Sequence, residues 1–299
     1  MAGQYAEPDR EVVDYRTYCL DPQILDPATA SPLVIRGPAL SGREKDGYFA
    51  CVGAAQTFGR FCEKPYPTLL QERLGLPALN LGRGGAGPAF FLRSADALFD
   101  HINRSRFAVV QVMSGRSAGS SLFRSDGLGF YHRISDGTPL SADDAFRALL
   151  REGDRSLLHR VVQETRSSWT DSFRELLRRI EVPTVVLWFS VRAPHYPEGQ
   201  GSLAEVFGEF PQLVNHSMIE AVRTHCTQYV ECVSRRGMPQ RLSSRFTGRP
   251  VTVSDPWGGS WRENSYYPTP EMHVDAADAL ERSCRALVTS APRRGGRDG

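Results

Sequence analysis

The sequence predicts a parallel, doubly wound α/β fold, and three observations predict it. Short apolar, β-branched or aromatic runs alternate with segments of helical periodicity. Each run stops at glycine or at a polar turn, and five such runs follow one another along the chain. A chain of 299 residues that is 40% hydrophobic can bury one large core of this kind.

Residues 1–45 scatter proline, aspartate and glycine without periodicity and read as an irregular arm ahead of a main domain over 46–290. The first strand is Tyr48-Phe49-Ala50-Cys51-Val52-Gly53, an apolar block stopped by glycine, as buried parallel strands are. Pro65 to Leu74 follows with leucines and charges at helical spacing and proline near its start. Ala78-Leu79-Asn80-Leu81 is the second strand, Gly82 to Gly87 the turn after it, and Pro88 to Phe99 the next helix. Phe107 to Met113 is the third strand, ending at Ser114-Gly115-Arg116. A loop-like insertion rich in serine and glycine spans about 117–140 and carries Phe130-Tyr131-His132. Helical patterns occupy about 141–151 and 155–180. Thr184 to Phe189 is the fourth strand, too short and too β-branched for a buried helix. A helix at about 211–224, a fifth strand over Gln228–Val233 and a last helix from Pro270 to Val288 complete the alternation. The basic, glycine-rich stretch 291–299 reads as a disordered tail.

Composition excludes several classes. Net charge is +2, which gives no general drive toward nucleic acid. No apolar stretch is long enough for a membrane helix and the first residues lack a signal-peptide pattern, so a cytoplasmic location is expected. The six cysteines show neither a CxxC pair nor zinc-ligand spacing; they read as reduced thiols, and no metal site is expected. Gly82 to Gly87 forms neither a Walker motif nor a complete Rossmann fingerprint, so no nucleotide cofactor is expected. Of 36 basic residues only Lys45 and Lys64 are lysine. Codon bias accounts for that, as does selection for bidentate anion contacts.

In doubly wound sheets ligands bind at the carboxyl ends of the strands, which directs attention to the turns. The turn Gly53-Ala54-Ala55-Gln56-Thr57-Phe58-Gly59, the segment Asn80-Leu81-Gly82-Arg83-Gly84-Gly85 and the segment from Tyr267 to Leu280 together resemble the SGNH (GDSL-type) hydrolases. That resemblance implies a flavodoxin-like, three-layer α/β/α domain with a five-stranded parallel sheet, and an esterase-like site. On its register the nucleophilic serine is replaced by Ala55, which has no oxygen to attack a carbonyl. Gly85 matches the residue whose backbone N–H faces the oxyanion. Ser117 stands for the asparagine donor, Asn264 for the catalytic aspartate and Tyr267 for the catalytic histidine. A shifted register nominates His273 as base, with Asp275 or Glu271 beside it. Tyrosine ionises near pH 10 and is a poor base at neutral pH, so standard Ser-His-Asp chemistry is disfavoured.

Three functional readings follow. The first is a divergent enzyme, a hydrolase or group transferase on a carbohydrate-like or anionic ester, with His273, Tyr267, Gln56 and Thr57 as candidate catalytic residues. The second is a sulfuryl- or phosphoryl-group transferase whose anion site is built by Arg60, Arg83 and Arg116, with Arg192 on the same rim. The third is an inactive protein that keeps the pocket to bind a glycan or partner. Trp257 and Trp261, close before the final block, read as rings that stack on a sugar or nucleobase or that cover the sheet edge. A small-molecule or carbohydrate ligand is expected in each; oligomeric state is left open. His195, just past the fourth strand, reads as a solvated loop residue or a rim residue.

Overall fold

Five apolar runs pair as parallel strands: β1 Phe49–Gly53, β2 Ala78–Gly82, β3 Ala108–Gln111, β4 Thr184–Ser190 and β5 Gln228–Val233. The computed structural model describes residues 9–40, 47–254 and 259–290. The strand order is β2-β1-β3-β4-β5. Register pairs Cys51 with both Asn80 and Val109, and Val110 with Val186. Chain direction across the sheet reverses between β1 and β3, which makes the crevice at their carboxyl ends the place where such sheets take ligands.

Helices connect the strands: α1 Ala55–Phe58, α2 Tyr66–Leu74, α3 Pro88–Leu92, α4 Asp96–Asn103, α5 Ala142–Glu152, α6 Arg155–Arg179, α7 Leu203–Phe207, α8 His216–Arg223 and α9 Pro270–Ser290. Side chains of a strand alternate between faces, so each strand feeds two cores. Ala50, Val52, Val110 and Trp188 pack with Phe99 of α4, Trp169 and Phe173 of α6, and Ile219 of α8. Phe49, Cys51, Val109 and Leu187 pack on the other face with Tyr66 and Leu70 of α2 and Ala276 and Leu280 of α9. The molecule is therefore a three-layer α/β/α sandwich, as its sequence predicts.

Three elements differ from expectation. The helix expected over Pro88–Phe99 divides into α3 and α4, because the Ser94 hydroxyl donates to the Phe90 carbonyl and competes with a continuing turn. The helix expected from 211 starts at His216, where the Asn215 side chain accepts from the Met218 N–H at 3.2 Å. The insertion is not a loop: Phe123–Ser125, Phe130–Arg133 and Pro139–Ser141 form a three-stranded antiparallel sheet. Strands this short, in a serine- and glycine-rich stretch, show almost no alternation, and the bends lie at Gly127 and Gly137, both at positive φ. The arm residues Tyr18–Cys19 and Val34–Ile35 pair antiparallel, and Val13, Tyr15, Ile24 and Leu33 are buried. Trp257 and the expected tail 291–299 lie outside the described residues. No helix among the described residues is long and apolar enough to cross a membrane.

Candidate functional site

The turn after β1 is built tightly. A Cβ on Gly53 would overlap the Thr57 hydroxyl and the Gln111 carboxamide, so only glycine fits there. Gln111 Oε1 accepts from the Ala54 N–H at 2.9 Å and from Thr57 Oγ1 at 3.2 Å. The Asn80 side chain donates to the Thr57 carbonyl and accepts from the Gly82 N–H. From the arm, buried Arg36 donates to the carbonyls of Phe58, Gly59, Cys62 and Glu63. Burial lowers its pKa to about 10. Those contacts leave α1 a rigid single turn, closed by Gly59 at φ 78°.

A cavity of about 810 Å³ lies over this turn. Its walls come from the strand ends (Ala54 to Gln56, Gly84 to Ala86, Ser114, Arg116, Ser117), from the insertion and α5 (Leu128 to Phe130, Ser141, Asp143, Arg147), from Phe210, and from the segment Gly259, Trp261, Tyr266 and Tyr267. Ala55, Gln56, Gly85, Arg116, Ser117 and Tyr267 therefore meet on one cavity. Ala55 and Tyr267, the residues on which the resemblance places nucleophile and base, stand on walls of the same cavity.

The individual groups are more constrained than their positions imply. Thr57 is fully buried behind the wall, its hydroxyl 2.9 Å from the Tyr66 hydroxyl. Ser117 is 1% exposed and donates its hydroxyl to the Ser114 carbonyl at 2.7 Å, so it offers the cavity no free proton. Tyr267 accepts from Arg60 Nη1 at 3.1 Å. Asn264 is no acid of a triad: it accepts from the N–H groups of Tyr266 and Tyr267, donates to the Gln240 side chain and the Tyr267 carbonyl, and does not line the cavity. Gln56 is different. It is 2% exposed, lines the cavity, and its Oε1 has no hydrogen-bond partner.

His273 lies away from the cavity, fully buried between Tyr66 and Phe189. Its Nδ1 accepts from the Tyr66 N–H at 3.2 Å. Burial, helped by the Arg36 cation, pushes its pKa down to about 3, so it stays neutral in the core. The arginine bowl expected from the strand ends does not form either. Arg60, 1% exposed, is held bidentately by Asp9. Arg83 pairs with Asp26 at 2.8 Å. Arg192 donates to the carbonyls of Glu209, Pro211 and Val214 and lies over the Trp188 and Tyr196 rings. Arg116 alone of the four lines the cavity, and it is bound to Asp143 at 2.7 Å. Its Nε is buried without a partner. His195 stacks on His216, outside the cavity.

Two residues that sequence reasoning missed organise the polar wall. The Tyr266 hydroxyl accepts from Arg116 Nη2 and from Gln212 Nε2, both at 3.1 Å, which leaves its own proton to donate. Tyr266 adjoins the residue singled out by the family pattern; Gln212 lies in a segment without motif, and no sequence signal marks it. Among the described residues that line the cavity there is no histidine, and its serines, Ser114, Ser117 and Ser141, have none beside them there.

A family model described as a domain of unknown function (DUF6473) matches residues 27–124 and 147–288. No curated protein matches the chain. Similar solved structures include a carbohydrate esterase family 2 enzyme with a carbohydrate-binding domain from Corynascus thermopiles (Myceliophthora fergusii), 12% identical, with a TM-score of 0.42, covering 87% of this chain and 70% of that one. A carbohydrate acetylesterase family member from Sinorhizobium meliloti is 11% identical, with a TM-score of 0.41, covering 81% of this chain and 99% of that one. An acetyl xylan esterase from the rumen bacterium Butyrivibrio proteoclasticus is 9% identical, with a TM-score of 0.43, covering 87% and 68%.

Proposed function

We propose that this chain, which belongs to the DUF6473 family, uses its rim cavity to recognise a polar, carbohydrate-like ligand and does not hydrolyse it by serine-type chemistry. The unpartnered Gln56 carboxamide beside Ala55 carries this reading. A buried carboxamide oxygen without a partner costs about 1–3 kcal/mol, which a ligand hydroxyl recovers. Arg116 Nε supplies the complementary donor, and Tyr266, Tyr267, Trp261, Phe130 and Phe210 supply the aromatic surface on which a sugar ring stacks. Such a mixture of ring faces and few polar groups is how small-ligand sites are usually lined.

The anion-transfer alternative loses its support, because Arg60, Arg83 and Arg116 are each committed to an aspartate. A second reading, an enzyme that uses Tyr266 as proton donor, draws on the Tyr266 hydroxyl, which accepts from Arg116 Nη2 and keeps its own proton to donate. Fluorophosphonate labelling and p-nitrophenyl acetate turnover, run beside a glycan-binding screen, separate the readings. The binding reading expects no adduct, no turnover above buffer, and glycan affinity that falls roughly tenfold in Gln56→Ala, as loss of one hydrogen bond implies. An active-site adduct or saturable turnover abolished by Tyr266→Phe overturns it.

A further inference from the structure

A smaller chamber of about 250 Å³ adjoins the main cavity, and the two share Gln56, Phe210 and Tyr266 as walls. Phe189, Met238 and Met272 give the chamber an apolar lining. Its polar content is unusual. Gln212, 5% exposed, lines it, and Gln212 Oε1 is buried without a partner, as Gln56 Oε1 is. Two incompletely bonded carboxamides therefore border one small chamber.

Charge narrows what can answer them. Arg235 and Glu209, the charged residues on this chamber's wall, are paired with each other and solvent-exposed. A carboxylate would bring only acceptors to two orphan acceptors and find no uncommitted cation. An ammonium would bury a charge without a counterion. A hydroxyl both donates and accepts but brings no apolar end to this lining. A secondary amide donates through its N–H, accepts through its C=O in the same plane, and carries an alkyl end besides. Its alkyl end then rests against the methionines and Phe189.

We propose that this chamber is a subsite for an acylamino group, so that the ligand of the main cavity is an N-acylated amino sugar; this rests on the carbohydrate-binding reading above. Binding of N-acetylglucosamine, glucose and N-methylacetamide to the full chain, by calorimetry and saturation-transfer NMR, tests it. N-acetylglucosamine should bind at least about tenfold more tightly than glucose, the scale of one or two buried hydrogen bonds. In Gln212→Met, which keeps the volume, that ratio should fall to within about twofold. Met238→Phe, which fills the apolar side of the chamber and does not line the main cavity, serves as a second variant should Gln212→Met fail to fold, and should lower the ratio likewise. Equal affinities for the two sugars, or a ratio untouched by either variant, overturn the subsite and leave the carbohydrate reading standing. If neither sugar binds but N-methylacetamide still gives Gln212-dependent transfer, the carbohydrate reading falls and the amide subsite stands. No binding of any of the three overturns both.

Discussion

Ala55 stands where the SGNH resemblance puts a serine, and among the described residues its surroundings hold no histidine base that an oxygen placed there could use. Tyr267 faces the same cavity but accepts from Arg60, which Asp9 holds from behind. No imidazole lines the cavity among the described residues. Ala55→Ser is therefore expected to raise p-nitrophenyl acetate turnover by no more than about tenfold, since a general base contributes on the order of 10²–10⁴ and none is placed there. Tyr266 occupies the opposite kind of position, because two donors converge on its oxygen. Tyr266→Phe should cost about 1–3 kcal/mol in urea denaturation by leaving Arg116 and Gln212 donors unmet. Full stability in that variant would show the two donors re-pairing with each other's neighbours.

Elements decide which of these residues reach the cavity. The start of α9 carries both the family-like block before it and His273 inside it, and helical rotation turns His273 toward Tyr66 and Phe189 rather than toward the rim. That burial has a measurable consequence. The imidazole titrates near pH 6.5 when unfolded and at about 3 when folded, so between those values the unfolded chain holds the extra proton. Stability should therefore fall as pH drops through this window, with a slope from this group approaching about 1.4 kcal/mol per pH unit. His273→Gln, which keeps an acceptor for the Tyr66 N–H, should flatten that part of the profile measured by chemical denaturation between pH 7 and pH 4. An unchanged slope would mean that the imidazole is protonated in the fold. The insertion is an element in its own right, a small sheet from which residues 128–130 wall the cavity.

At the scale of the molecule, the sheet is covered on both faces and the thiols report it. Cys51, Cys62, Cys232 and Cys284 are buried, and burial raises their pKa, for the last three to about 12. Cys19 is exposed and Cys226 half-buried. A disulfide reagent such as dithionitrobenzoate is expected to react with Cys19 first, Cys226 slowly, and the other four only on global unfolding. Early modification of Cys51 or Cys284 would show that the α2–α9 face opens on its own.

Local signals reached most of this architecture. Apolar runs stopped by glycine or by a polar turn marked β1 to β4, because a strand buried on both faces has to be largely apolar, and that can be read one residue at a time. The family-like turns located Ala55, Gly85, Ser117 and Tyr267 at one crevice for the same reason: the strand order brings consecutive strand ends together. Tertiary structure alone decided which polar groups are spent. Arg60, Arg83 and Arg192 look identical to Arg116 in sequence, and only their partners, Asp9, Asp26 and the carbonyls around Pro211, take them out of the site. Gln212 carries no motif, and although Gln56 lies in the family-like turn, the unmet Oε1 of each is a property of the space around it, set by residues as much as 210 positions apart in the chain from Gln56 to Tyr266. Hydrogen-bond satisfaction is a sum over neighbours in space, and no window of sequence contains that sum.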